Sequence, residues 1–261
     1  MSTTRTSVDI TLSVWKALFL REALTRLSAG RSAWLWLLLE PVAHVAFLLI
    51  IFSAIRQRVI PGVEFALFLA IGVIGYHLFK NSAQRSIGAI SANAALFSYR
   101  QGKPVDAVLV RIFLEGVIQL FVGVVLLAAM SLIGYDVLPH NPLGVIAAWM
   151  LLWLFGAGLG LILSVGSKLI PEIGKIANLM FIPLYFISGV LFAPFMLPPT
   201  FQEWFLLNPI PHGLEALREG FFPGYQLVPG VSLYYLGVFA FLSLFFGLVL
   251  HVRFSTKLVA H

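Results

Sequence analysis

Two ionisable pairs stand at helical spacing inside apolar runs, and they are the first candidates for chemistry. Glu40 and His44 are four residues apart, on one face of a helix. An ionisable group within a membrane segment is costly and indicates function by default. The pair therefore predicts either a polar patch on a substrate path or a hydrogen bond between helices. Arg111 and Glu115 have the same spacing, which favours a structural ion pair at the membrane boundary.

Several kinds of site are excluded by the residues present. The chain has no cysteine, so neither a thiolate metal site nor a cysteine nucleophile is possible. Its six histidines do not have the spacing of a metal site. The fragment Gly102-Lys103-Pro104 lacks the first glycine and the Ser or Thr of a phosphate-binding loop. We expect no metal or cofactor on this chain and no nucleotide hydrolysis by it.

The composition indicates an integral membrane protein. Of the 261 residues, 60% are apolar and 11% are charged, and the mean hydropathy is +0.96. Soluble domains are about 25% charged. The net charge of +6 is therefore interpreted as a topology signal, and no nucleic-acid partner is expected.

The apolar runs predict an all-α membrane protein with six transmembrane helices, because barrel strands would be shorter and would alternate with polar residues. In an arrangement with both termini in the cytoplasm, 14 of the 17 basic residues lie inside and 3 lie outside. This asymmetry favours that orientation. The predicted spans lie near residues 33–55, 63–79, 107–133, 143–166, 176–193 and 231–252.

Residues 1–32 precede the membrane domain at 33–261. Trp15 and Phe19 recur with other apolar residues at helical spacing, and basic residues fall largely between them. This pattern is typical of an amphipathic helix at the cytoplasmic interface. A leader that serves only topology is the alternative.

The polar segment 81–106 is predicted to project into the cytoplasm. Gly102 and Pro104 end any helix that runs through residues 89–99. A second polar loop, 167–175, faces the same side, so both are accessible to a soluble partner.

Residues 194–224 contain six prolines, which forbid one continuous helix. Thr200 with Glu203 and Asn208 with Pro209 predict the starts of two short helices. Because the segment is apolar, we expect a re-entrant helical hairpin before the last span. On its second helix, Glu215 and Arg218 either hold that helix in place or leave a cation beside an exit path.

The same segment carries aromatic residues with two open interpretations. They could line a substrate path, where ring faces stack on sugars, or they could form an interfacial belt and face lipid. The residues concerned are Trp204, Phe205, Phe221 and Tyr225.

Three motifs resemble the ABC-2 type permeases and, among them, the bacterial capsular-polysaccharide export permeases. The first is RSAWLWLLLEPVAHV from Arg31, similar to the family's entrance into its first span. The second is SANAALFSYRQGKPVDAVLVR from Ser91, which resembles the cytoplasmic segment of the capsule branch. The third is NPIPHGLEALREGFF from Asn208, typical of the wider family.

The resemblance implies a homodimer bound to two copies of a separate ATPase, which holds ATP and Mg. It implies export of a lipid-linked acidic polysaccharide across a bacterial inner membrane, together with periplasmic and outer-membrane capsule export proteins. By family position, the ATPase-coupling residues are Asn93, Leu96, Phe97, Tyr99, Arg100 and Lys103.

Two further sets complete the predicted site. The substrate path comprises Glu40, His44, Trp204, Phe205, Arg218, Phe221 and Tyr225. Arg21, Arg26 and Arg31 are expected where an anionic lipid-glycan first binds, although inside-positive topology explains them equally well.

Other functions stay open. Within the superfamily the cargo could be another glycan, such as O-antigen or teichoic acid, or a lipid or drug. A membrane-embedded enzyme would need clustered carboxylates or a nucleophile and base, which the sequence does not offer at suitable spacing. A proton-coupled transporter could use Glu40 and His44.

Overall fold

The described residues of the computed structural model, 7–27, 33–54, 63–97 and 102–259, form helices and no strands. A 3-10 turn at Pro194–Met196 interrupts the second half. The helices are α1 (Ser7–Leu27), α2 (Ala33–Ala54), α3 (Phe65–Ser86), α4 (Ala89–Ala92), α5 (Ala94–Phe97), α6 (Pro104–Leu132), α7 (Pro142–Leu169), α8 (Pro171–Ile187), α9 (Pro199–Phe205), α10 (Pro209–Phe221), α11 (Leu233–Arg253) and α12 (Ser255–Val259).

Five of the described helices, α2, α3, α6, α7 and α11, are long and apolar enough to cross a membrane. The all-α prediction is confirmed at this level. The helix α8 has 17 residues, so it is about 26 Å long, slightly less than a bilayer core of about 30 Å. It covers residues 171–187, whereas the sequence predicts a span near 176–193. Pro171 begins the helix, and a left-handed Gly189 (φ 71°) follows its end.

Prolines and side-chain caps fix several helix starts. Asn141 accepts a hydrogen bond from Gly144 N (3.0 Å) at the start of α7, and Asn208 accepts one from Ile210 N (3.1 Å) at α10. The predicted Asn208 cap is confirmed. The predicted Thr200 cap is wrong, because α9 already begins at Pro199 and Thr200 lies in its first turn.

The helix α3 is the centre of the bundle, since most of its side chains are buried against α2, α6, α7, α8 and α10. It runs through Ser86, seven residues beyond the predicted span. Glycines allow α7 to approach it closely: a Cβ at Gly156 would lie 2.5 Å from Phe79 O, and one at Gly160 would lie 2.8 Å from Ser86 Oγ. Such small residues are typical of helix packing within membranes.

The helices α7 and α11 run parallel. Gly237 lies near Leu151, and Gly247 lies against Leu161, so residue numbers rise together along both helices. The helix α10 packs on the same part of α7. Its N-terminal Gly213 abuts Leu152, and its C-terminal Gly220 accepts a hydrogen bond from Asn141 N at the start of α7 (2.9 Å).

The predicted helix through residues 89–99 is divided into α4 and α5. Asn93 lies between them and donates from Nδ2 back to Ala89 O (2.7 Å), a side-chain bond that competes with helix continuation. Residues 98–101 lie outside the described part, and the chain resumes at Gly102 before α6.

Candidate functional site

The helix α1 packs along the first turns of α6. Trp15 Nε1 donates to Asp106 Oδ1 (3.1 Å), and the rings of Phe19 and Phe113 are 5.9 Å apart. Asp106 also accepts a bond from the backbone N–H of Lys103, which fixes the start of α6. The N-terminal helix is therefore attached to a membrane-spanning helix through both polar and aromatic contacts.

Glu22 connects three elements at this junction. Arg111 donates to it twice, from Nη2 to Oε1 (2.7 Å) and from Nε to Oε2 (3.1 Å), the strong bidentate arrangement. Asn93 Nδ2 donates to Glu22 Oε1 at 3.2 Å. Burial raises the pKa of the Glu22 carboxyl, but Arg111, Asn93 and Arg21 together outweigh it and hold the pKa below its ordinary value. Glu22 thus joins α1, α6 and the α4–α5 break.

A second carboxylate, Glu115, is almost fully buried between two arginines. Arg26 Nε lies 3.5 Å from Glu115 Oε1, and Arg85 Nε lies 3.8 Å from the same atom. The expected ion pair of Arg111 with Glu115 is wrong, because Arg111 binds Glu22 on α1. Both residues face neighbouring helices whose contacts outweigh the local i, i+4 spacing. We call Glu22, Arg26, Arg85, Arg111 and Glu115 the junction network.

The predicted ATPase-coupling residues differ in exposure. Asn93 is 1% exposed, and Phe97 is 5% exposed in a small core that includes Ile90 and Val108. Leu96 is half-buried, and Lys103 is exposed. Tyr99 and Arg100 lie outside the described residues, so their coupling role stays a prediction.

The three predicted substrate-access arginines are not equivalent. Arg21 is 42% exposed at its side chain and lies 3.8 Å from Glu22. The Arg26 side chain is 21% exposed and is engaged with Glu115. Arg31 lies outside the described residues. Of the two described arginines, Arg21 is the more available to a ligand.

Glu40 and His44 lie on α2, and only His44 has a described side-chain hydrogen bond. Its Nε2 is 2.9 Å from Tyr185 Oη on α8, and its ring is 5.6 Å from that of His77. Glu40 is exposed. The pair therefore presents one exposed carboxylate beside an imidazole that links α2 to α8.

Arg218 is fully buried, and it closes the end of α8. It donates from Nη1 to Gly189 O and from Nη2 to Val190 O, both at 2.8 Å. Glu215 Oε1 accepts a further bond from Arg218 Nη1 at 2.8 Å, so the predicted contact between these two residues is present. The guanidinium lies 3.6 Å from the centre of the Phe68 ring, a cation–π contact.

Tyr225 also binds Glu215, donating a hydrogen bond from its Oη (3.1 Å to Oε2). A Cβ at Gly72 of α3 would lie 2.5 Å from Arg218 Nη2, so only glycine leaves room for the guanidinium. We call Glu215, Arg218 and Tyr225 the outer network. It connects α10 to α3 and to the end of α8.

The remaining residues predicted for the substrate path lie in different surroundings. Trp204 is 71% exposed, Phe205 is 9% exposed with its ring tilted against that of Phe192, and Phe221 is half-buried. The structure brings Arg218 and Tyr225 together, but it does not bring all seven predicted path residues into one lining.

Glu22 and His212 were not identified from the sequence. His212 Nδ1 accepts from Ser232 N (2.9 Å), and its Nε2 donates to Leu206 O (2.8 Å), so it fixes the approach to α11. Glu22 is the only acidic residue in the stretch 16–31, whose other charged residues are basic. This isolated negative charge is the sequence signal that could have identified Glu22. Its partner Arg111 is 89 residues away.

A bundle of long apolar helices, with α1 attached to α6 and a proline-divided segment before α11, defines a polytopic membrane protein. The ABC-2 type transporter family model matches residues 13–222. The chain belongs to that family.

Curated relatives cover nearly the whole chain. The polysialic acid transport protein KpsM of Escherichia coli is 38% identical over 247 residues, 95% of each chain. The capsule polysaccharide export inner-membrane protein BexB of Haemophilus influenzae is 30% identical over 97% of this chain and 96% of its own. The protein CtrC of Neisseria meningitidis serogroup B, with the same description, is 28% identical over 95% and 94%.

Proposed function

We propose that this chain is the permease subunit of an ABC exporter that moves lipid-linked capsular polysaccharide across the bacterial inner membrane. The observation that carries the proposal is the similarity over at least 94% of both chains to three proteins described as polysialic acid transport or capsule polysaccharide export proteins. In this role the chain is a transport subunit and not itself an enzyme.

In this proposal the chain crosses the membrane six times, and α8 is the fifth and shortest crossing. Near its start, Gly174 lies against Ile87, just beyond the end of α3. After its end, Gly189 and Val190 meet Arg218, which lies beside Gly72 in the first half of α3. The helix α8 thus runs antiparallel to most of α3. The parallel directions of α7 and α11 support the same crossing. Six crossings place both termini on one side, and the distribution of basic residues makes that side the cytoplasm in this proposal.

Residues 194–224 form a re-entrant segment in this proposal. Gly213 abuts Leu152, ten residues and therefore about 15 Å into α7, whereas Gly220 returns to Asn141 at the beginning of α7. A surface loop would not reach that depth. The outer network then holds the hairpin against α3 and α8.

ATP-driven force enters through the predicted coupling segment 81–106, in a homodimer that binds two ATPase subunits. Asn93 supports this, because it contacts Glu22 while lying between the two short helices α4 and α5. Movement of that break is transmitted through Glu22 to Arg111 on α6. We expect ATP and Mg to bind the ATPase and no cofactor to bind this chain.

The substrate path is proposed along α2 and α8, where two copies of the chain meet. Both helices expose large apolar side chains, for example Trp36 and Phe47 on α2 and Leu179 and Phe186 on α8. His44 and Tyr185 join the two helices beside Glu40. Arg21 and Arg31 would meet the acidic glycan on the cytoplasmic side, and periplasmic and outer-membrane export proteins would receive it.

The test is deletion of the gene in its encapsulated host, followed by fractionation of polysaccharide between cell surface and cytoplasm. Full-length lipid-linked polymer trapped inside is the expected result, and co-purification with an ATPase then tests the partner. Normal surface polymer would refute the capsule role and favour a lipid, drug or other glycan cargo. Absence of polymer from both fractions would instead indicate a synthetic enzyme.

A further inference from the structure

An apolar groove of about 530 Å³ lies between α6 and α7, with α3 and α10 at its base. Along α6 it extends from Phe113 to Leu127, about 21 Å and therefore longer than one leaflet of the bilayer core. Its rim is exposed: Leu120 is 53% and Val124 is 58% exposed. The groove thus opens sideways from two helices that are long and apolar enough to span a membrane.

Glycine and tryptophan shape the groove. Trp153 on α7 lies against Gly116 on α6, where a Cβ would be 2.5 Å from its Nε1. That indole also donates to Ile112 O (3.2 Å). Trp149 lies against Gly123, about two turns further along α6. The glycines make room for the two indoles, which line the groove between the helices.

The lining decides what fits. None of the described residues that line the groove is charged, and the Trp153 N–H already has its acceptor, so a polar ligand finds no partner among them. An apolar cavity does not hold water, and an empty one forfeits dispersion contacts. The groove opens sideways from two helices that are long and apolar enough to span a membrane, where lipid acyl chains are the surrounding apolar groups.

We propose that this groove binds one acyl chain of a membrane phospholipid, as a resident lipid between α6 and α7. Continuity with the exposed apolar face of α6 brings the chain from the bilayer. Of the residues predicted for the substrate path, Phe221 alone lines the described groove, so the site is separate from the α2–α8 path. The bound chain fills the space that Trp149 and Trp153 line.

The first test is native mass spectrometry of the full-length permease after purification in mild detergent from membranes of phosphatidylethanolamine and phosphatidylglycerol. Wild type should retain one phospholipid per protomer. Leu120→Phe with Val124→Phe fills the groove and should reduce retention about tenfold, equivalent to roughly 1.4 kcal/mol. The matched control, Leu242→Phe with Val249→Phe on exposed positions of α11, should retain it.

Several outcomes would overturn the proposal. These are wild type without retained phospholipid, equal retention in the filled variant, a retained glycolipid of the substrate's mass, or a partner helix crosslinked into the groove. If the filled variant does not fold, a fluorescence experiment replaces it. The wild-type permease is placed in vesicles whose phospholipids carry brominated acyl chains, and quenching of its tryptophan fluorescence is measured. Wild-type fluorescence should then contain a quenched component that disappears in Trp149→Phe. Equal quenching in wild type and Trp149→Phe would contradict a chain at this site.

Discussion

Three buried or partly buried carboxylates at the two ends of the bundle hold polar networks together, and two of them, Glu22 and Glu115, join different helices. Glu22 joins α1 to α6, Glu115 lies between Arg26 and Arg85, and Glu215 lies between Arg218 and Tyr225. Removing one partner of a buried ion pair costs more than the pair itself contributes, because the remaining charge stays desolvated. Single substitutions in these networks therefore measure how firmly the helices are attached.

Replacing Glu22 with Gln should loosen α1. The bidentate bonds to Arg111 become weaker, and we expect a loss of about 2 kcal/mol in the free energy of unfolding at pH 7. Because the folded-state pKa of Glu22 is lowered, its stabilisation is present above the ordinary carboxyl pKa and is lost as pH falls through the folded value. Thermal unfolding of the purified permease at neutral and acidic pH measures both effects.

Glu203→Gln is the matched control, because Glu203 is exposed on α9. It should leave the unfolding temperature unchanged. The charge exchange Glu22→Arg with Arg111→Glu should recover part of the lost stability. An unchanged unfolding temperature in Glu22→Gln would show that the junction network does not hold α1.

Arg218→Met should destabilise the permease by about 3–5 kcal/mol, since Glu215 and two carbonyl groups lose their buried partner. The measurement is thermal unfolding together with surface polysaccharide. Glu203→Gln again serves as the control. A variant that unfolds at the wild-type temperature but does not export would contradict the structural role and support the predicted place of Arg218 on the substrate path.

At the scale of elements, the structure refines which position tests ATPase docking. A charge at Phe97 would disrupt the small core that contains it, whereas Leu96 is half-buried at the surface of α5. Leu96→Glu should weaken ATPase co-purification about tenfold, roughly 1.4 kcal/mol, with normal permease levels. ATPase recovery on tagged permease measures this.

The corresponding control is Leu207→Glu, an exposed leucine beside the start of α11 at the other end of the bundle. It should not change ATPase recovery. Wild-type recovery and export in Leu96→Glu would remove α5 from the docking surface and leave the undescribed residues 98–101 as the next candidates.

The sequence was sufficient to predict a helix start where a single residue determines the conformation of the backbone next to it. Pro209 begins a helix and Asn208 caps it, as their chemistry predicts. The sequence did not predict contacts that depend on elements far apart in the chain. Arg111 prefers Glu22, 89 residues away, to the adjacent turn, and Asn93 divides a predicted helix while it also binds Glu22. The apolar composition of the predicted path likewise could not distinguish buried Phe205 from exposed Trp204.

At the scale of the whole molecule, six crossings follow only if α8 crosses, and the absence of native cysteine allows a direct test. Three single-cysteine variants sample the proposed arrangement: His140→Cys between α6 and α7, Glu203→Cys on α9, and Ser255→Cys on α12. An impermeant maleimide added to spheroplasts should label positions 140 and 203 but not 255, which should be labelled only after lysis.

Position 203 discriminates between the arrangements. If α8 turned back within the membrane, α9 would lie on the cytoplasmic side and α11 would cross outward, so position 203 would be labelled only after lysis and position 255 already in spheroplasts. The cysteine-free wild type is the labelling control. Labelling at 203 from outside would also place the outer network near the periplasmic surface, because Phe205 on the same short helix packs beside Gly189, whose carbonyl binds Arg218.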